Sequence, residues 1–325
     1  MSETSPSPHA PPLQHTASGE LRRVGVEIEF AGVQIAEAAE MVRQHYGGET
    51  RSMGAHRLHV DGTAWGRFVV ELDTQYAHRP ETKHGLADDL LSEATREFIG
   101  DAVTGIVPFE IICPPIPYDR LGDLNPLFDG LRKRGAQGTE EKAIYGFGLH
   151  LNVEVAEEQV DYLLRHVRAY LLLSDWLRQE IVIDLTRRIL PHASRFPDEY
   201  ALLVMAPDYS PGLREFIEDY AAYNPGRNRE LDLYPLFRHL TPDLVDDLVD
   251  DTRIKARPAF HYRLPNASLS KAGWSAVTEW NRWIEVERLA ADGERLRDMA
   301  QAFIAWHERP FHERWLDRLV RFLET

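Results

Sequence analysis

Two glutamates one residue apart, Glu27 and Glu29, interrupt an otherwise apolar run, Arg23-Val24-Gly25-Val26-Glu27-Ile28-Glu29-Phe30. In an extended strand alternate residues share a face, so this pair lies on one side and Val24, Val26, Ile28 and Phe30 on the other. The pattern returns where Glu71 and Asp73 oppose Val70 and Leu72, and where Glu110 opposes Phe109 and Ile111. In the stretch 148–155 the polar side carries His150, Asn152 and Glu154, and Phe260-His261-Tyr262-Arg263-Leu264 offers His261 and Arg263. Taken singly, each of these fits an ordinary solvated strand face. Taken as one sheet, they gather carboxylates, imidazoles and an arginine on one side. Acid dominates these faces and lysine is missing from them, and crowded like charges call for a neutralising cation. Oxygen donors with few imidazoles and no thiolate suit Mg²⁺ or Mn²⁺ better than zinc. Magnesium usually accompanies a phosphorylated partner, yet the chain has no Walker loop, GxGxxG run or kinase signature. A nucleotide would therefore be held by metals and a cation, for which Arg263 is best placed.

The elements that must position these groups follow from periodicity. Period-two stretches predict strands at 23–30, 56–61, 67–73, 106–113 and 146–155, with a late one at 259–264. Helices are expected at 34–46, 84–99, 119–134, 157–182, 198–206, 212–223, 241–250, 273–307 and 309–323. Asp61-Gly62 supplies the positive φ of a tight turn, so 56–73 reads as an antiparallel hairpin. The late strand is expected to rejoin the early sheet, which makes 21–325 a single α+β domain behind a Pro- and Ser-rich disordered tail, 1–20. Trp274, Trp280 and Trp283 are spaced for helix packing.

With 325 residues the chain can bury a substantial core, and its net charge of −15 argues against nucleic acid or anionic membrane as partner. The single cysteine, Cys113, forms no internal disulfide and points to the cytoplasm. No signal segment precedes residue 20, and 160–183 carries too many charges to span a bilayer. Oligomeric state is left open.

Four motifs then carry a family resemblance: Gly25-Val-Glu27-Ile-Glu29-Phe30; Phe109-Glu110-Ile-Ile-Cys-Pro114-Pro115; Gly146-Phe-Gly148-Leu-His150-Leu-Asn152 after Gly135-Ala136-Gln137-Gly138-Thr139; and Tyr262-Arg263. In order and spacing the chain resembles the amidoligase family of the carboxylate-amine ligase superfamily that includes glutamine synthetase and glutamate-cysteine ligase. The resemblance implies a curved, largely antiparallel sheet with helices on one face, a helical C-terminal half, and a concave face that binds Mg²⁺ and ATP. It implies Glu27, Glu29 and Glu110 as metal ligands, His150 beside the metals and the ATP phosphates, and Arg263 stabilising the transferring phosphoryl group. The relatives carry Glu-x-Arg in the late strand, where this chain has His261-Tyr262-Arg263. Three outcomes are open: His261 coordinates through a neutral nitrogen, Glu71 takes the place of the missing carboxylate, or a metal is lost.

The activity so implied is amide formation from a carboxylate and an amine, a small amino acid or peptide, through an acyl phosphate. On that reading Glu71 joins the metal ligands, Asn152 supports them, and Asp61 orients the incoming amine or a metal-bound water. Lys142 would close over the phosphates and Arg257 would bind the substrate carboxylate, although a solvated loop explains either as well. Arg227 and Arg229 read as solvated. A metal-dependent hydrolase or phosphotransferase, or a noncatalytic binding module, would use the same acidic face.

Overall fold

The computed structural model describes residues 6–72, 108–139, 147–181 and 194–308. The first strand, β1 (Arg23–Phe30), is followed by helix α1 (Ile35–Tyr46), then by β2 (Glu49–Gly54), β3 (Arg57–Thr63), β4 (Gly66–Leu72), β5 (Phe109–Ile112) and the short β6 (Ile116–Pro117). A 3₁₀ turn (Tyr118–Leu124) leads into α2 (Asn125–Lys133), and after β7 (Leu149–Glu154) comes the long α3 (Val160–Ile181). The remainder runs α4 (Asp198–Met205), α5 (Leu213–Tyr223), β8 (Leu231–Asp232), α6 (Tyr234–Leu240), α7 (Pro242–Leu248), β9 (Ala259–Tyr262), α8 (Ala276–Ala291) and α9 (Gly293–His307).

Among the described residues the strands form one nine-stranded sheet in the order β2-β3-β4-β5-β1-β7-β9-β8, with β6 paired to β1, and every strand pairing there is antiparallel. The strands that carry the expected polar face, β4, β5, β1, β7 and β9, are consecutive in it. Their opposite face holds Val24, Val26, Ile28 and Phe30 with no solvent exposure, and the same core takes in α1, α3 and α8. Burying each such side chain stabilises the fold by about 1.5–3 kcal/mol. Trp280 and Trp283 are fully buried there, the Trp283 ring tilted 43° against Tyr262 with centroids 5.3 Å apart, so the tryptophans are packing groups.

Several elements differ from the sequence reading, each for a local reason. Strand β2 has no apolar alternation to announce it, because all its residues are exposed at the sheet edge. The span 119–134 divides at Asn125-Pro126, where proline suits the first turn of a new helix. The span 273–307 divides at Asp292, whose carboxylate caps α9 by accepting the Arg295 backbone N–H at 3.1 Å. The expected hairpin forms, but Gly62, at φ 71°, lies within a register shift and the chain turns at Ala64-Trp65. Helix α6 and strand β8 were not foreseen. The expected helices at 84–99 and 309–323, and residue Asp73, lie outside the described residues.

Part of the span read as a tail makes defined contacts with α8 and with Arg22. Trp280 Nε1 donates to the His9 carbonyl at 2.9 Å, and Asn281 binds Ser7 and His9 backbone at 3.0 and 2.8 Å. Arg22 donates to the Leu13 carbonyl at 2.9 Å. Prolines with fixed φ lower the entropy lost on ordering such a segment, and the buried indole N–H requires an acceptor. Composition registers neither effect. No helix among the described residues is long and apolar enough to cross a membrane.

Candidate functional site

Strand register decides which polar residues meet. Across β1 and β7, Glu27 stands opposite His150 and Gly25 opposite Asn152. Across β7 and β9, Asn152 stands opposite His261, and across β9 and β8, His261 stands opposite Asp232. On the other flank Glu29 faces Glu110, which faces Glu71. Gly25 has a steric reason in this row, because a Cβ there would come within 3.3 Å of the Asn152 side chain.

Glu27 is the hub. One oxygen accepts from Asn152 Nδ2 at 2.8 Å and faces Arg257 at 3.5 Å, and the other lies 3.4 Å from His150 Nδ1 and 4.0 Å from His261 Nε2. One donor atom from each of Glu27, His150 and His261 falls within 4.8 Å of the others. Burial works against ionisation of Glu27, but the His150 contact and the Arg257 charge outweigh it and hold the carboxyl well below its ordinary range. Burial, reinforced by Arg257, drives His261 well below the usual histidine value, so its ring is neutral. An ionised carboxylate beside a neutral imidazole is the protonation state that cation ligation requires.

Three buried atoms at this hub have no hydrogen-bond partner, His261 Nε2, Asn152 Oδ1 and Arg257 Nε. Unpaired buried acceptors cost stability unless a ligand engages them, so the donor set fits a divalent ion. Glu29 is partly spent otherwise, since it accepts the Gly148 backbone N–H at 2.6 Å while its other oxygen lies 3.5 Å from His150 Nε2. Glu71 is paired with Arg57 at 2.9 Å. Glu71 and Glu110 line the adjoining cavity without joining the three-residue cluster. Of the alternatives for the late strand, the structure places His261, and not Glu71, against Glu27 and His150.

The cavity holds about 280 Å³. Its lining brings the carboxylates of Glu27, Glu71 and Glu110 together with the cations Arg227, Arg253, Lys255, Arg257 and Arg263. Arg263 is buried and donates to the Arg227 carbonyl at 2.6 Å. Arg257, read as a candidate from its sequence position, thus reaches the site. Arg227 is not merely solvated: it lines the cavity and donates to Asp232 at 3.0 Å. Arg229 is likewise engaged, with Asn224 at 2.7 Å. Asp61 is not brought in; it pairs with Arg67 at 2.5 Å on the hairpin and does not line the cavity. Lys142 lies outside the described residues.

The sequence reading missed Asp232, Arg253 and Lys255. A two-residue strand such as β8 shows no alternation, and the segment before β9 reads as a polar loop, so only the chain's return to the sheet places them here.

The model of a family described as "Putative amidoligase enzyme" matches residues 20–285. The chain belongs to this family. The amidoligase match includes every described site residue named above, from Glu27 to Arg263. No curated protein and no solved structure matches the chain. Outside the site proper, the amidoligase motif around Gly138 has a packing role. A Cβ at Gly138 would fall 1.9 Å from the Ala267 carbonyl, and Thr139 N–H bonds that same oxygen at 3.0 Å. The loop before β7 is thereby tied to the segment after β9.

Proposed function

We propose that this amidoligase-family enzyme is an ATP-dependent carboxylate-amine ligase that forms an amide through an acyl phosphate. The observation that carries the reading is a cavity at the Glu27-His150-His261 donor set that is also lined by Arg227, Arg253, Arg257 and Arg263. A carboxylate is a poor acyl donor because oxide does not leave. Attack of the substrate carboxylate on the γ-phosphorus of ATP forms a new P–O bond, expels ADP and yields a mixed anhydride. The amine nitrogen then attacks the acyl carbon, phosphate departs with the C–O bond pair, and the amine gives up a proton.

Both reactants in the first step are anions. Divalent ions such as Mg²⁺ or Mn²⁺, held by Glu27, His150 and His261, would supply charge neutralisation for the phosphates. The chain itself supplies fixed positive charge. Arg263, buried and held by the Arg227 carbonyl, is the group for the transferring phosphoryl, and Arg257, bridging Glu27 and the cavity, is the group for the acid substrate. Such fixed donors act without reorganising during the reaction.

The test is an ADP-release screen over acids and amines, followed by ¹⁸O-labelled carboxylate with the best pair. Label appearing in the released phosphate is the expected result. Product formed with unlabelled phosphate would rule out the acyl phosphate, and ADP release that ignores the amine would favour a hydrolase.

A further inference from the structure

Asp232 lies directly opposite His261 in the sheet and is fully buried. Its carboxylate is engaged from three directions. Oδ1 accepts the Tyr234 backbone N–H at 3.1 Å, while Oδ2 accepts Arg227 Nε at 3.0 Å and faces His261 Nδ1 at 3.3 Å. Amide and guanidinium hydrogens already point at the two oxygens of Asp232, so in the remaining contact His261 Nδ1 is the donor. In a neutral imidazole the other nitrogen, Nε2, is then a bare lone pair. That nitrogen is buried, has no hydrogen-bond partner, and lies 4.0 Å from Glu27 Oε2, another acceptor. Two acceptors facing each other with no hydrogen between them define a place for a cation. The His150 ring stands edge-on to His261, centroids 5.4 Å apart, and closes the third side.

We propose that Asp232 is a positioning residue that locks His261 in its Nδ1–H tautomer, and that the resulting donor set of two imidazoles and one carboxylate favours Mn²⁺ over Mg²⁺. This rests on reading the cavity as a divalent-ion site. Mg²⁺ prefers oxygen and sheds water reluctantly, whereas imidazole nitrogen suits borderline ions. A carboxylate behind a ligating histidine orients the ring and raises its basicity, and removing such an outer partner typically weakens ion binding by about 10–100-fold. Arg227 sets the direction of the Asp232 carboxylate.

The experiment uses full-length, chelator-stripped protein and Mn²⁺ alone, with free Mn²⁺ followed by electron paramagnetic resonance and with Mg²⁺ as competitor. The expected result is a Mn²⁺ site displaced by Mg²⁺ only at roughly hundredfold excess. Asp232→Asn weakens Mn²⁺ binding by about 10–100-fold, and nitrogen-15 spectra of the ion-free protein lose the Nδ1–H signature of His261. His261→Glu restores oxygen and narrows the Mn²⁺ to Mg²⁺ preference by about tenfold. Asp232→Asn binding within about twofold of the parent, or an unchanged preference in His261→Glu, overturns the proposal. Should Asp232→Asn fold poorly, the nitrogen-15 spectrum of the ion-free parent decides the role of Asp232: His261 protonated on Nε2 overturns the proposal. A parent that binds Mn²⁺ yet releases no ADP with any acid and amine sinks the ligase reading and leaves Asp232 its role; a parent that binds neither ion overturns both.

Discussion

Arg22 and Glu27 are near neighbours in sequence, and both belong to buried charge clusters, but the two clusters are built to opposite specifications. Arg22 and Glu287 are 1% and 2% exposed and form a two-pronged ion pair at 2.7 and 2.8 Å. Glu287 also accepts Trp283 Nε1 at 2.9 Å, and Arg22 donates further to the Glu154 and Leu13 carbonyls. Around Glu27 the contacts to His150, Arg257 and His261 lengthen to 3.4–4.0 Å, three polar atoms have no partner, and a cavity adjoins. The closed cluster fastens the N-terminal segment, β1, β7 and α8 to one another. The open one leaves polar atoms unpaired beside a cavity. Burial of charge therefore does not mark a site; incomplete pairing beside a cavity does.

The comparison breaks most visibly at the closed pair. Arg22→Met strands Glu287 in the core and should cost about 3–5 kcal/mol in chemical denaturation, while the double variant Arg22→Met/Glu287→Leu should recover part of that loss. A double variant no better than the single would mean that the pair acts by shape rather than charge. At the open cluster, Glu27→Gln keeps the shape and should lower turnover by about 100-fold, with the midpoint of unfolding nearly unchanged. A large fall in stability would place Glu27 with the structural pair instead.

Acid sharpens the same contrast. Burial raises the Glu287 carboxyl, but Arg22 holds it well below its ordinary value of 4.5. Because the folded-state value lies beneath the unfolded one, the stability it contributes is complete above about pH 4.5 and is lost as pH falls further. Melting profiles from neutral pH downward should thus steepen below that point in the parent and flatten in the double variant. The smallest effect belongs to Asp61, exposed and paired with Arg67. Asp61→Asn should leave turnover within about twofold, and a larger loss would bring the hairpin into the site.

The sheet and the core side of each strand were legible because alternation in β1, β4, β5, β7 and β9 is strict and apolar. Glu27, His150 and His261 were legible for the same reason, since a residue's face follows from its place in the pattern. Three things were not. Asp61 shares the acidic character of the face but lies on the hairpin, and sequence does not measure distance along a strand from the cavity. Glu29, Glu71 and Glu110 share the right face, yet the Gly148 amide and Arg57 engage Glu29 and Glu71, which only the folded backbone reveals. Asp232 sits on a strand too short to have a period.

The order of the strands carries a consequence for how the protein comes into being. Glu27 and His150 are separated by 123 residues, and a comparable length of chain intervenes before His261. The entropy of closing such loops must be overcome before these groups meet, which makes docking of β9 beside β7 a late event on the folding route. A nascent chain that ends short of β9 carries all the glutamates that line the cavity but no complete set of donors. On the reading proposed above, ion capture would then report that synthesis has passed β9 and that β9 has docked beside β7.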